Sequence, residues 1–237
     1  LQYLSDELGK NYQILKAQNG EEAIAIIKEQ EVDLVLTDIM MPVMDGIQLC
    51  KLIKQNLRTC HILVIILSAK TDFKEQLEGL QVGADDYIPK PFSLVMITTK
   101  IKNLFRTRHR AIEYYSKSLE IEPEKIALNP LDEDLLKKAV EVMEKHMDDA
   151  EFTTDEFARE MCMSRSNLHL KMKALTGEST NEFIRKMRFN YACKYTVSEI
   201  SSMVGYVPSY FATSFKKYFG CLPSEYGKNG KSNHSQT

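Results

Sequence analysis

Two hydrophobic rhythms divide this chain. Between residues 12 and 107, short apolar runs at 12–17, 32–37, 62–67 and 86–88 alternate with segments at 21–30, 45–55, 72–82 and 93–107, where apolar residues return every three or four positions. A short continuous run suits a buried strand, and the longer spacing suits a helix with one apolar stripe. The alternation predicts an α/β doubly wound parallel sheet with helices on both faces. The run Ile62-Leu63-Val64-Ile65-Ile66-Leu67 has no polar break and belongs at the centre of that sheet. Beyond residue 130 the strand-like runs stop and the helical spacing continues, which predicts a second, all-α domain.

Three polar residues close three of the runs. Asp38 follows 32–37, Ser68 follows 62–67, and Lys90 lies in Ile88-Pro89-Lys90-Pro91-Phe92. Ligands of an open parallel sheet bind at the carboxyl ends of its strands, so these residues meet at one rim although far apart in sequence. An acid, an alcohol and an amine suit a phosphoryl group. The carboxylate accepts it, the alcohol donates to one oxygen, and the ammonium serves another as a mobile point charge.

The motifs are Leu36-Thr37-Asp38-Ile39-Met40-Met41-Pro42-Val43-Met44-Asp45-Gly46, then Leu67-Ser68-Ala69-Lys70, then Gly83-Ala84-Asp85-Asp86-Tyr87-Ile88 running into Pro89-Lys90-Pro91-Phe92. Over about the first 105 residues the chain resembles the receiver domain of two-component response regulators, with Ser68 and Lys90 at that family's intervals of 30 and 52 residues from Asp38. The resemblance implies a flavodoxin-like fold in which Asp38 takes the phosphoryl group of a phosphohistidine on a histidine kinase. It implies Mg²⁺ held in part by Asp38 and the Met40 carbonyl, and a Lys90–Pro91 bond that is often cis. It also implies that Tyr87 follows Ser68 inward on phosphorylation, although Tyr87 reads equally well as a half-buried strand residue. The family's first strand, which ends in an acidic metal-binding pair, has no counterpart before Leu1-Gln2-Tyr3-Leu4. The expectation is an N-terminally truncated receiver over 1–107 with an incomplete Mg²⁺ site.

Residues 108–130 carry the Glu, Lys, Pro and Ser content of a linker, with Pro123 and Pro130 as breakers, and a helix is expected over 131–147. Between 151 and 227 the chain nearly repeats itself at an offset of 43 residues, as in Thr153, Glu156, Leu168 and Gly177 against Thr196, Glu199, Phe211 and Gly220. Both copies open on a capping box, Thr153 with Glu156 and Thr196 with Glu199, and each reads as helix, turn, helix. The stretches Ala158 to Gly177 and Val204 to Tyr226, closing on Pro223-Ser224-Glu225-Tyr226, resemble the AraC-type DNA-binding domain, placed here at 131–227. The polar residues 228–237 read as a disordered tail.

In the first recognition helix Leu168, Met172 and Leu175 form the core stripe, and Ser166, His169, Leu170 and Lys173 face the major groove. His169 is also readable as a plain surface histidine. Leu170 replaces the family's usual basic residue and offers a contact to a thymine methyl. In the second copy Ser209, Ala212 and Thr213 face DNA. Arg165, Lys171, Lys216 and Lys217 are expected on phosphates, which position without reading sequence.

Charge sharpens this division. The net charge of −2 conceals 20 basic and 29 acidic residues over 1–160 against 11 basic and 4 acidic over 161–237, an acidic module joined to one that meets a polyanion. Five cysteines, an odd number without a Cys-x-x-Cys pair, suggest neither a zinc site nor a disulfide framework and point to a reducing, cytoplasmic setting. No apolar stretch approaches the ~20 residues that span a bilayer, and the first residues lack a signal peptide's basic start. No second nucleophile and base pair is visible, so an enzyme is not expected. The two resemblances together imply a phosphorylation-dependent transcription regulator that forms a homodimer on activation and binds double-stranded DNA. The alternative is a receiver acting as a phosphate sink or protein-interaction module beside an impaired DNA-binding domain. It rests on a connecting helix about six residues, or ~9 Å, shorter than the family's.

Overall fold

Strand β2 (Leu63–Ala69) is apolar on both sides, and both sides are covered. Its even-numbered residues Val64 and Ile66 pack with Ile39, Leu49, Ile53 and Ile62, while Ile65 and Leu67 pack with Leu4, Leu8, Ile88, Ile97 and Ile101. Each such side chain contributes roughly 1.5–3 kcal/mol of burial. Strands β1 (Leu34–Asp38) and β3 (Asp86–Lys90) flank it in a parallel sheet of order β1-β2-β3. This computed structural model describes residues 2–69, 82–118, 121–149 and 151–192, together with Ala212, Thr213, Lys216, Lys217 and Leu222. The chain divides into two compact units, one of residues 1–110 and 128–132, the other of 111–127 and 133–237.

In the first unit, helix α1 (Gln2–Leu8) brings Leu4 and Leu8, one turn apart, onto the second of those clusters. Helix α2 (Gly20–Glu29) starts on Asn19, whose side chain accepts from the Glu22 N–H, and α3 (Gly46–Lys54) starts on Asp45, which accepts from Gln48 at 2.7 Å. At the other end of α3 the buried Lys54 ammonium pairs with Asp85 at 2.6 Å and donates to the Ile62 carbonyl at 2.8 Å. Asp85 also accepts from the Val64 N–H, which ties α3 to the start of β2. Helix α4 (Leu94–Lys117) follows β3, and the Lys90–Pro91 peptide between them is cis.

Two expectations are corrected here. Residues 12–17 form no strand. Among the described residues the outer edge of β1 carries no neighbour, so this run has no ladder to join, and Tyr12 and Ile14 contribute only apolar contacts. Nor is 108–130 an irregular linker. Helix α4 continues to Lys117 because no breaker precedes Pro123 and because Ile112 and Tyr115 extend its apolar stripe. A short helix α5 (Pro123–Ile126) follows. The helix expected over 72–82 lies outside the described residues.

Leu128–Asp132 belongs to the first unit and shows why linker composition misleads. The Asn129 amide donates to the Cys60 carbonyl at 3.1 Å and to the Asp132 carboxylate at 2.6 Å, and the Cys60 thiol donates to Asp132 at 3.3 Å. Nearby, the buried Arg108 guanidinium donates to the His61 carbonyl at 2.5 Å, and burial lowers its pKa against the pull of Asp33 and Asp132.

The second unit is helical. It holds α6 (Pro130–Lys145) beyond its first turn, α7 (Thr154–Glu160), α8 (Arg165–Thr176) and α9 (Thr180–Ala192). The expected capping box is present, with Thr153 and Glu156 exchanging hydrogen bonds. Ser164 caps α8, and Ser179 with Glu182 forms a second reciprocal pair before α9. Gly177 ends α8 at φ +76°, where a Cβ would stand 2.8 Å from Ile112. Phe157 and Phe183, both fully buried, stack at 6.0 Å in the core. Most of the second repeat, 196–226, and the tail 228–237 lie outside the described residues.

One polar cluster is sealed inside this unit. The Lys186 ammonium lies 3.6 Å from the centre of the Tyr115 ring and donates to the Tyr115 carbonyl, while the Tyr115 hydroxyl donates to Glu178 at 2.9 Å. Burial pushes the Lys186 pKa down to about 8 and raises that of Glu178. The unfolded chain keeps the lysine proton until near pH 10.5, so between about 8 and 10.5 the fold binds fewer protons and gains stability as pH rises. Urea unfolding of wild type and Lys186→Met across this range should show that gain in wild type alone; parallel pH profiles would refute it.

Candidate functional site

The site grows from the end of β1. In the parallel register Asp38 stands opposite Leu67, Ser68 opposite Pro89, and Ala69 opposite Lys90. The acid, the alcohol and the amine therefore occupy the carboxyl ends of three adjacent strands, each roughly 4.8 Å from the next. The Lys90 ammonium pairs directly with Asp38 Oδ2, and the Met40 N–H donates to Asp38 Oδ1 at 3.2 Å. The Asp38 side chain keeps 26% of its surface exposed and Lys90 40%, so the pair is open to an incoming group.

Ser68 is different. It is 1% exposed, and its hydroxyl has no hydrogen-bond partner among the described residues. A buried polar group left so forgoes about 1–3 kcal/mol. Tyr87 is half-buried against the cluster around Ile39, Leu49 and Ile66. Met40, two residues after Asp38, is 80% exposed.

The loop from β1 into α3 is held tightly. The Gly46 N–H donates to the Ile39 carbonyl at 3.0 Å, and the bare Gly46 α-carbon lies against the Asp38 carbonyl, leaving no room for a side chain. Val43 adopts φ 68°, a strained conformation for a β-branched residue, and is 74% exposed. Asp45 and Gly46 stand in the sequence motif without an assigned role, and Thr37 is absent from the candidates altogether. Its signal is a lone hydroxyl in an otherwise apolar strand.

For Mg²⁺, the Asp38 carboxylate and the Met40 carbonyl offer two of the six oxygens of an octahedral site. Among the described residues no group of three or more His, Cys, Asp or Glu side chains is placed to hold a metal. These residues alone do not make a Mg²⁺ site.

The second candidate surface is α8. Leu168, Met172 and Leu175 are buried as the stripe requires, and Arg165, Ser166, His169, Leu170 and Lys173 are exposed together on the remaining face. Lys171 is corrected. It is 1% exposed, because it stands three residues after Leu168 and four before Leu175 and so falls within the inward stripe. A phosphate contact needs a surface residue, and Lys171 is not one. Of the second copy, Thr213, Lys216 and Lys217 are exposed and Ala212 half-buried, and Ser209 lies outside the described residues. No helix among the described residues is long and apolar enough to cross a membrane.

Comparison with known proteins matches residues 2–102 to the response regulator receiver domain and residues 157–229 to a helix-turn-helix domain. Histidine kinase P4 of Formosa agariphila is 36% identical over 231 residues, 94% of this chain and 17% of that protein. The transcriptional regulatory protein ResD of Bacillus subtilis is 42% identical over 97 residues, 41% of this chain and 39% of that protein. The chain thus spans less than half the length of either relative. The crystal structure of the signal receiver domain of a signal transduction histidine kinase from Syntrophus aciditrophicus is 34% identical, with 44% of this chain and 79% of that one covered and a TM-score of 0.42.

The strain at Val43 gives a test of the loop. Asn tolerates positive φ and Val does not, so Val43→Asn should raise the unfolding free energy by about 1 kcal/mol. Chemical denaturation reads the change, and a loss of stability would show that the valine side chain is held there by packing.

Proposed function

The chain joins a response regulator receiver domain to an AraC-type helix-turn-helix domain, and on that premise we propose that a phosphoryl group on Asp38 controls its binding to duplex DNA as a transcription regulator. The observation that carries this reading is the buried Ser68 hydroxyl, without a partner among the described residues, on the strand between those of the paired Asp38 and Lys90. A donor kept dry without an acceptor is suited to an oxygen that arrives later.

In this reading an Asp38 oxygen attacks the phosphorus of a phosphohistidine on a partner kinase. The P–O bond forms as the P–N bond breaks, and the imidazole nitrogen keeps the electron pair. Lys90 then turns from the carboxylate to a phosphoryl oxygen, and Ser68 donates to another. Tyr87, half-buried beside this rearrangement, takes the space that Ser68 leaves. The altered receiver promotes homodimerisation in the cytoplasm and brings the helix-turn-helix units of 131–227 onto DNA. On α8, Ser166, His169, Leu170 and Lys173 reach base edges while Arg165 meets a phosphate. Ala212 and Thr213, with Lys216 and Lys217, serve the same two roles in the second helix-turn-helix copy.

Incubation of the full chain with acetyl phosphate, read by intact mass, should add one phosphoryl group to wild type and none to Asp38→Asn. A gel shift on duplex DNA should weaken steeply between about 50 and about 200 mM salt. Equal labelling of both proteins would refute the acceptor assignment. Labelling without any DNA binding would favour a phosphate sink or interaction module.

A further inference from the structure

Taking Asp38 as the phosphoryl acceptor, we propose that Thr37 is a positioning residue for the transfer, its hydroxyl fixing the peptide that carries the nucleophile. The parity of the ladder shows which way this peptide faces. The Asp33 carbonyl accepts from the Leu63 N–H at 3.0 Å and the Ile39 N–H donates to the Leu67 carbonyl at 3.2 Å, so odd-numbered residues of this segment bond to β2. Alternate residues of a strand point their polar groups to opposite sides. The Asp38 carbonyl therefore faces away from β2, toward an edge where no strand pairs among the described residues.

Thr37 holds this carbonyl. Its side chain is 4% exposed, and its hydroxyl donates to the Asp38 carbonyl at 3.1 Å. The Thr37 hydroxyl also lies 3.5 Å from Met41 Sδ. The peptide between Asp38 and Ile39 is then held at both polar ends, by Thr37 at its carbonyl and by Leu67 at its N–H. Gly46 closes the remaining side, where an added Cβ would stand 2.9 Å from the Asp38 carbonyl carbon and 3.1 Å from the Thr37 hydroxyl. Valine has the shape of threonine without the donor, and with it the peptide is free to tilt about the single bond to Leu67. In-line attack tolerates little tilt, since a displacement near 1 Å costs on the order of 10²-fold in rate.

The test measures labelling of the full chain by acetyl phosphate at increasing donor concentration. Thr37→Val should lower the maximal rate about tenfold and leave the half-saturating concentration unchanged, while Thr37→Ser, which keeps the donor, should stay within about twofold of wild type. If the valine variant does not fold, Thr37→Ala takes its place, with thermal melting as the check. A wild-type maximal rate in the variant without the hydroxyl, or a serine variant as slow as it, overturns the positioning role and leaves the acceptor assignment intact. Failure of wild type itself to label, matching Asp38→Asn, overturns the acceptor assignment and this inference together.

Discussion

The double burial of β2 is the constraint on which the first unit depends. Val64, Ile65 and Ile66 are fully buried with side chains on alternate faces, so a slip of one residue would exchange the two cores. That cost fixes the register against β1 and β3, and the register alone sets Asp38, Ser68 and Lys90 on neighbouring strand ends. The chemistry is thus placed by apolar residues that take no part in it. Lys54 and Asp85 reinforce the arrangement from below, clamping the end of α3 to the start of the same strand.

Around Asp38, local rules are broken in a small space. A buried hydroxyl has no partner among the described residues, a valine holds a positive φ, and an ion pair stands half in solvent. Such departures persist where surrounding structure over-determines them, and they concentrate at sites that change state. Elsewhere in the unit α2 and α3 start on ordinary side-chain caps. This contrast locates the rim more sharply than any one residue does.

Much of this was legible beforehand, because the periods involved are long and regular. The run 62–67, the capping box at Thr153 and Glu156, and the stripe Leu168, Met172, Leu175 each follow from spacing that little else produces. What escaped depended on neighbours. Residues 12–17 have the composition of a strand but, among the described residues, no ladder to enter. Lys171 carries a surface residue's charge at an inward phase of its helix, and 108–130 reads as a linker until the hydrogen bonds of Asn129 and Asp132 are seen. Thr37 was passed over because one hydroxyl in a strand has no periodicity to betray it.

The placement of Leu128–Asp132 has a further consequence for how this polypeptide can be divided. The first unit is completed by five residues that come after seventeen belonging to the second. The two alternate along the chain, and no single scission between residues 110 and 133 leaves the residues of each together. During synthesis, the earlier unit reaches its last contacts only after part of the later one has emerged, so the halves must mature in overlap instead of in succession.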